Sequence, residues 1–175
     1  MMRAWENRED CAVSDEPLYA AYLAATGLDH PGRDEVIASG ETDWRKVTGA
    51  LLGPAPGGKP VWYQKHMSHH LLPGMGSDWV LGLHNVFLIR DPIEVVASYL
   101  RSRATVTPDD IGLPQQGRLF DLLRERFGKT PMVIDAGGGN FAVVANSPAE
   151  HLAAVARDGG WRHLSLLSST GNGVK

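Results

Sequence analysis

The sequence has little cysteine, no surplus of positive charge and no long apolar run. Cys11 is the only cysteine among 175 residues, which excludes an intramolecular disulfide and a metal centre built from several thiolates. Lysine and arginine total 17 against 20 aspartates and glutamates, a formal net charge of −3, so the composition does not favour nucleic-acid or anionic-membrane partners. No apolar stretch approaches the roughly 20 residues that span a bilayer, and residues 1–8 lack a signal-peptide core. These absences predict a soluble, cytoplasmic protein.

Short apolar segments alternate with helical patterns along the chain. Runs rich in β-branched and aromatic residues, typical of buried strands, occupy 61–65, 85–90 and 131–135. Helical patterns occupy 17–26, 43–52, 92–103, 115–127 and 148–157. This alternation predicts an α/β fold, with a mostly parallel sheet flanked by helices. We assign residues 1–158 to one α/β domain and expect 159–175, rich in Gly, Ser and Thr, to be a loosely ordered tail.

The segment around Arg90 contains the strongest local signal. Asp91 is a good N-cap, Pro92 stands at the first helical position, and Glu94 is placed to complete a capping box. Arg90 is therefore predicted at the carboxyl end of a strand, just before a helix, where open α/β sheets bind ligands. A guanidinium at this position, with the Ser98 hydroxyl nearby, indicates an anion site. The alternative is that Arg90 pairs with a neighbouring carboxylate.

The helix that follows Arg90 has apolar residues at helical spacing. We expect one stripe to face the core, formed by Ile93, Val96, Ala97 and Leu100. The opposite side, with Glu94, Ser98 and Arg101, is then free to meet a ligand.

The motif of Arg90-Asp91-Pro92 followed by Ser98 resembles the one with which sulfotransferases bind the 3′-phosphate of 3′-phosphoadenosine 5′-phosphosulfate (PAPS). The surrounding sequence is similar to that of a bacterial sulfotransferase-like family over roughly residues 1–136. The similarity is clearest at 15–19 (DEPLY), 62–70 (WYQKHMSHH) and 109–112 (DDIG). The resemblance implies a fold like that of P-loop nucleotide-binding proteins.

The activity that this resemblance implies is transfer of a sulfuryl group from PAPS to a hydroxyl or amine of a small-molecule acceptor. Arg90 and Ser98 would then hold the 3′-phosphate. The stretch that begins at the last residue of the first predicted strand is similar to one that carries a lysine and a histidine in sulfotransferases. It implies that Lys65 stabilises charge at the reacting oxygen and that His66 or His69 is the base.

Other interpretations of these residues stay open on sequence alone. Glu16 and Tyr19 line an acceptor pocket in the functional interpretation, whereas in the structural one Glu16 only favours the start of a helix. The histidines at 66, 69 and 70 lie near one another if their segment is helical, which also permits a shared metal ion or a purely structural role. Our interpretation assigns no metal.

The start of the chain differs from the family pattern. In that family a strand and a phosphate-binding loop precede a helix that reads like residues 1–8, so we expect this chain to be truncated and its sheet to be incomplete at the N-terminus. Such a loop supplies backbone N–H donors to the phosphosulfate. The missing loop favours one alternative, a non-catalytic remnant that binds a nucleoside bisphosphate. A second alternative among enzymes is a small-molecule or nucleotide kinase, which also needs an intact phosphate loop.

Overall fold

The structure is a computed structural model that describes residues 2–101, 103–136, 142–145 and 163–168. It divides into two compact units. The first unit comprises Met1–His66, His70–His84 and Trp161–Ser165, and the second comprises Met67–His69, Asn85–Gly160 and Leu166–Lys175.

The described residues form six helices and six strands. The helices are α1 (Met2–Glu6), α2 (Tyr19–Thr26), α3 (Arg33–Ser39), α4 (Trp44–Leu51), α5 (Pro92–Tyr99) and α6 (Leu113–Phe127). The strands are β1 (Cys11–Asp15), β2 (Val61–Met67), β3 (His84–Ile89), β4 (Met132–Asp135), β5 (Ala142–Ala145) and β6 (His163–Ser168). Short 3₁₀ turns lie at Pro56–Gly58, Ser68–His70 and Asp78–Gly82. Among the described helices, none has the length and apolar character that a membrane crossing requires.

The first unit is built on the parallel pair β1 and β2. Cys11 is paired with Val61 and Asp15 with Lys65, so both strands end at the same edge. The strand order in this unit is β1-β2-β6. Ser14 lies one residue before the end of β1, and its hydroxyl accepts a hydrogen bond from the Trp62 indole at 3.0 Å. Buried apolar side chains come from α2, α4 and the 3₁₀ turn at Asp78–Gly82, among them Leu18, Leu23, Leu51, Trp79 and Val80.

The second unit contains β3 and β4 in parallel, with β5 antiparallel to β4. Its strand order is β6-β3-β4-β5. The Gln116 side chain of α6 donates to the Leu88 carbonyl at 3.1 Å and to the Leu167 carbonyl at 3.0 Å. One buried amide group thus links this helix to two strands. The apolar core includes Val86, Phe87, Val95, Leu119, Leu123 and Leu167.

The start of α5 is as predicted, but its buried face is not. The Asp91 carboxylate accepts a hydrogen bond from the Ile93 backbone N–H at 2.8 Å, with Pro92 at the first position of the helix. Val95 is buried, whereas Ile93 is 78% exposed and Leu100 is 49% exposed. The predicted stripe through Ile93 and Leu100 is therefore wrong. A helix of eight residues with apolar side chains on every side does not specify its buried face by spacing alone.

The three predicted strands are confirmed as β2, β3 and β4, and an α/β fold with parallel strand pairs is confirmed. Strands β1, β5 and β6 and helix α3 were not predicted. Within the segment 159–175, His163–Ser168 form β6, and the rest of that segment lies outside the described residues. The predicted helix over 148–157 lies outside the described residues.

Candidate functional site

Polar side chains of the first unit gather where β1 and β2 end. Asp15 is the last residue of β1, and its register partner is Lys65. The Glu16 backbone N–H donates to the Lys65 carbonyl at 2.8 Å, which continues the strand pairing for one more residue. The carboxylates at positions 15 and 16 are thus brought to the side of Lys65 by the backbone itself.

Lys65 forms ion pairs with both carboxylates. Its Nζ lies 2.6 Å from Glu16 Oε1 and 3.1 Å from Asp15 Oδ1. The exposed fraction of the side chain is 8% for Lys65, 24% for Glu16 and 42% for Asp15. Burial by itself lowers the pKa of Lys65, but the hydrogen bond and charge of Glu16, with those of Asp15, outweigh it and leave the pKa raised. Lys65 is therefore held as a cation.

Glu16 adopts a left-handed backbone conformation, with φ at 50°. Residues other than glycine seldom do so, at a cost on the order of 1 kcal/mol or more, and such strain clusters at functional sites. The conformation is held by the Glu16 N–H bond to Lys65 and by the Tyr19 N–H, which donates to the Glu16 carbonyl at 2.9 Å. The strained turn directs the chain from β1 into α2. Neither Asp15 nor Glu16 caps α2, because Leu18 is the N-cap.

Tyr63 is a further polar residue on the face of β2 that carries Lys65, since the two are separated by one residue. Its ring is stacked on Trp5, with centroids 5.1 Å apart and an interplanar angle of 9°. The side chain is buried, and its hydroxyl has no hydrogen-bond partner among the residues the structure describes. Burial raises the pKa of Tyr63, and the negative charge of Asp15 raises it further. The sequence analysis did not single out this hydroxyl.

His66 lies on β2, not on a helix, and is buried beside Trp79 with ring centroids 5.1 Å apart. Its Nε2 is 3.2 Å from Gln64 Oε1. Burial lowers the pKa of His66 to about 3. The buried surroundings of His66 therefore disfavour its protonated form, which makes it a weak base at pH 7.

His69 and His70 follow in the 3₁₀ turn at Ser68–His70. Burial lowers the pKa of His69 to about 4, the Arg103 charge lowers it further, and Asp110 opposes them. His70 is buried in the first unit and stacks on Tyr19, with centroids 5.1 Å apart. Among the described residues, no group of three or more His, Cys, Asp or Glu side chains is arranged to hold a metal ion.

Arg90 of the second unit lies directly between β3 and α5, at the strand end where the sequence placed it. Its guanidinium is paired with Glu94 at 3.0 Å, so the carboxylate alternative of the sequence analysis is the contact seen in this structure. Both side chains are partly exposed, and an exposed pair with this spacing contributes only about 0.3–0.5 kcal/mol. A multiply charged anion can displace such a contact.

Ser98 lies one helical turn beyond Glu94, on the same face of α5. Its hydroxyl accepts a hydrogen bond from the Arg101 guanidinium at 3.0 Å. Arg90 thus pairs with Glu94 before and at the start of α5, and Arg101 with Ser98 at its end. The prediction of Arg90 and Ser98 as an anion site stays a prediction, and Arg101 is an additional cation that the sequence analysis did not assign to it.

The geometry divides the predicted site residues between the two units. The first unit brings Lys65 and Glu16 together, and places Tyr19 immediately after the strained turn. The second unit contains Arg90, Ser98 and His69. Asp15 and Tyr63 were missed, although the two-residue alternation of a strand places Tyr63 on the face of Lys65 once β2 is assigned.

Comparisons with known proteins agree on part of this picture. A family model described as a sulfotransferase domain matches residues 1–164. Two curated relatives from Arabidopsis thaliana are named branched-chain-amino-acid aminotransferase-like protein 2, 32% identical over 136 residues, and protein 1, 34% identical over 139 residues. Each match covers 78% of this chain and 24% of the relative, so the chain spans about a quarter of the length of these proteins. No solved structure gives a significant match. The chain belongs to the sulfotransferase domain family.

Proposed function

We propose that the protein transfers a sulfuryl group from PAPS to a hydroxyl or amine of a small-molecule acceptor. The observation that carries the proposal is the pair of arginine contacts at the two ends of α5, Arg90 with Glu94 and Arg101 with the Ser98 hydroxyl, in a chain of the sulfotransferase domain family. The two relatives are named aminotransferase-like, but the matched region is only 24% of each. The proposed activity therefore follows the sulfotransferase domain family.

The second unit supplies the groups that recognise the donor in this proposal. Guanidinium groups bind phosphate through two parallel charged hydrogen bonds, and the Ser98 hydroxyl adds a third donor. The Glu94 carboxylate now occupies the Arg90 guanidinium at 3.0 Å. Binding of a 3′-phosphate exchanges that contact for two or three stronger ones.

The first unit supplies the groups that handle the acceptor's proton. In the reaction, the acceptor oxygen or nitrogen forms a bond to sulfur as the bond from sulfur to the phosphate oxygen breaks, and the acceptor's proton passes to a base. Burial lowers the pKa values of His66 and His69 to about 3 and 4, and His66 is only 2% exposed, out of reach of an acceptor. The Glu16 carboxylate is partly exposed, at 24%, and is oriented by Lys65; we assign the proton to it. Lys65 remains the group that balances charge.

The donor half of the proposal is tested by calorimetric titration with adenosine 3′,5′-bisphosphate, the product that remains after transfer, and with adenosine 5′-monophosphate as the analogue without a 3′-phosphate. The wild type is expected to prefer the bisphosphate. Arg90→Ala should weaken bisphosphate binding by about tenfold to a hundredfold, the loss of a charged hydrogen-bonded pair. It should leave the monophosphate almost unaffected.

Two further variants extend this test. One is expected to tighten bisphosphate binding, and the other is a control. Glu94→Gln removes the competing carboxylate and should tighten bisphosphate binding about twofold. Arg118→Ala removes an exposed arginine from α6 of the same unit and should change nothing. If wild type and Arg90→Ala bound the bisphosphate equally, the assignment of the anion site to Arg90 would be wrong. Binding without transfer of labelled sulfate to any acceptor in a panel of alcohols and amines would leave a nucleotide-binding protein and not an enzyme.

A further inference from the structure

The cluster at the end of β1 and β2 contains more hydrogen-bond acceptors than donors. Each carboxylate offers about four acceptor positions and an ammonium has three N–H groups. Lys65 is shared by Asp15 and Glu16, so most of their acceptor positions lie beyond its reach. Two negative charges also face one positive charge. A ligand that fits this cluster must therefore donate hydrogen bonds and bring positive charge.

The Tyr63 hydroxyl is independent evidence for a ligand at this place. The side chain is only 1% exposed and its oxygen has no partner in the described part of the chain. A buried polar group that stays unpaired costs about 1–3 kcal/mol. Tyr63 lies on the Lys65 face of β2, diagonal to Asp15 across the strand pair. Its hydroxyl can accept a hydrogen bond from the same ligand group that the carboxylates bind.

Asp15 is the carboxylate best placed to contact a ligand. Its side chain is 42% exposed against 24% for Glu16, and its contact with Lys65 is longer, 3.1 Å against 2.6 Å. Glu16 is fixed by the strained turn and by its short contact with Lys65. Asp15 has room to turn toward a cation without breaking the Lys65–Glu16 pair.

We propose that the acceptor carries an ammonium group, which Asp15 binds together with the Tyr63 hydroxyl, so that Asp15 determines the charge preference of the acceptor site. This inference rests on the proposed function only in identifying the ligand as the acceptor. The excess of negative charge attracts a cation and repels a carboxylate of the same shape. The Trp5 ring, stacked on Tyr63, holds the tyrosine ring in place and adds an aromatic surface on which an apolar part of the acceptor can pack.

The experiment compares three probes that differ in charge and share a phenylethyl group: 2-phenylethylamine, 2-phenylethanol and 3-phenylpropanoate. Their dissociation constants are measured with the full chain by ligand-observed NMR at neutral pH and low salt. The amine should bind at least about fivefold more tightly than the alcohol, the value of one partly exposed ion pair. The carboxylate should bind most weakly.

Variants identify the groups responsible. Asp15→Asn should reduce the amine-to-alcohol ratio to near one, and Tyr63→Phe should lower amine affinity without changing net charge. Asp121→Asn, which breaks an exposed ion pair with Arg124 on α6, makes the same charge change elsewhere and should leave the ratio intact. Circular dichroism confirms that each variant is folded.

The inference is overturned if the three probes bind equally, or if Asp15→Asn keeps the preference for the amine. These measurements contain no sulfuryl donor. An amine preference in a protein that transfers no sulfate would contradict the proposed function alone, and transfer to neutral alcohols without amine preference would contradict this inference alone.

Discussion

His66 is a buried imidazole whose Nε2 is 3.2 Å from Gln64 Oε1. Because the interior disfavours the imidazolium, the pKa of His66 falls from 6.5 to about 3. The unfolded chain takes up a proton on this histidine below pH 6.5, whereas the folded chain does so only near pH 3. Between these values the unfolded state binds more protons, so acid lowers the free energy of unfolding.

Replacing this histidine should remove that part of the pH dependence. In wild type the His66 contribution lowers the free energy of unfolding by up to about 1.4 kcal/mol per pH unit as pH falls from 6.5 toward 3. His66→Gln keeps an amide donor for Gln64 but has no group that titrates. Urea unfolding at a series of pH values should therefore show a shallower slope for the variant.

His30→Gln is the matched control, because His30 is exposed and its ring nitrogen contacts only the neighbouring Pro31 carbonyl, at 2.7 Å, among the hydrogen bonds described. The free energy of unfolding of this control should change with pH as it does in wild type. If His66→Gln also showed the wild-type pH dependence, His66 would be protonated equally in the folded and unfolded states, which would restore it as a candidate base.

At the residue scale, the sequence predicts which residues belong to the site better than it predicts which residues they contact. The cation at Lys65 and the carboxylate at Glu16 were both predicted as site residues, and the structure joins them at 2.6 Å. Their pairing depends on β1, which is short and contains one β-branched residue, so neither alternation nor propensity marks it clearly. The same missing strand hid Asp15, because the pairing that places it beside Lys65 is a property of β1.

Helix α6 begins and ends at glycines with left-handed backbone conformations. Gly112 precedes the helix with φ at 74°, and Gly128 follows it with φ at 61°. Their surroundings differ. A Cβ atom added at Gly112 would lie 2.6 Å from the His69 backbone nitrogen and 3.1 Å from Ser68, whereas one at Gly128 would meet nothing within 4 Å. The turn before α6 is thus packed directly against Ser68 and His69 of the same unit.

Alanine at these two positions separates backbone strain from packing. Both substitutions should cost about 1–2 kcal/mol for the left-handed conformation. Gly112→Ala should cost about 1–3 kcal/mol more, because backbone atoms must move to admit the methyl group. Chemical unfolding of the two variants measures the difference. Equal losses of stability would show that the 109–112 segment does not press on Ser68 and His69.

At the element scale, the strands that were predicted are rich in β-branched and aromatic residues, and β3 among them has a nearly continuous apolar run. Phe87 is buried on β3, and a strand covered on both faces needs such a run. The α5 helix was located correctly from Asp91 and Pro92, because capping is a local property. Its buried face depends on the element it packs against, and no local pattern contains that information.

At the scale of the whole molecule, the residues proposed to bind the two ligands belong to different units. Arg90, Ser98 and Arg101 belong to the second unit, and Asp15, Tyr63 and Lys65 belong to the first. A ligand stabilises the structure that binds it by RT ln(1 + [L]/Kd) and slows exchange of the amides whose opening breaks the site. Hydrogen exchange can therefore report where each ligand acts.

Adenosine 3′,5′-bisphosphate should slow exchange chiefly in β3 and α5, and 2-phenylethylamine chiefly in β1 and β2. At a ligand concentration of about a hundred times Kd the slowing is up to about a hundredfold, since the added stability is about 2.7 kcal/mol. At the same concentration Arg90→Ala should reduce the first effect to about twofold to tenfold and keep the second, and Asp15→Asn should reduce the second and keep the first. Mass spectrometry of peptides from each strand gives both readouts in one experiment. Protection by the bisphosphate confined to β1 and β2 would move the donor site away from α5, because contacts made by Arg90 and Ser98 must first restrain their own elements.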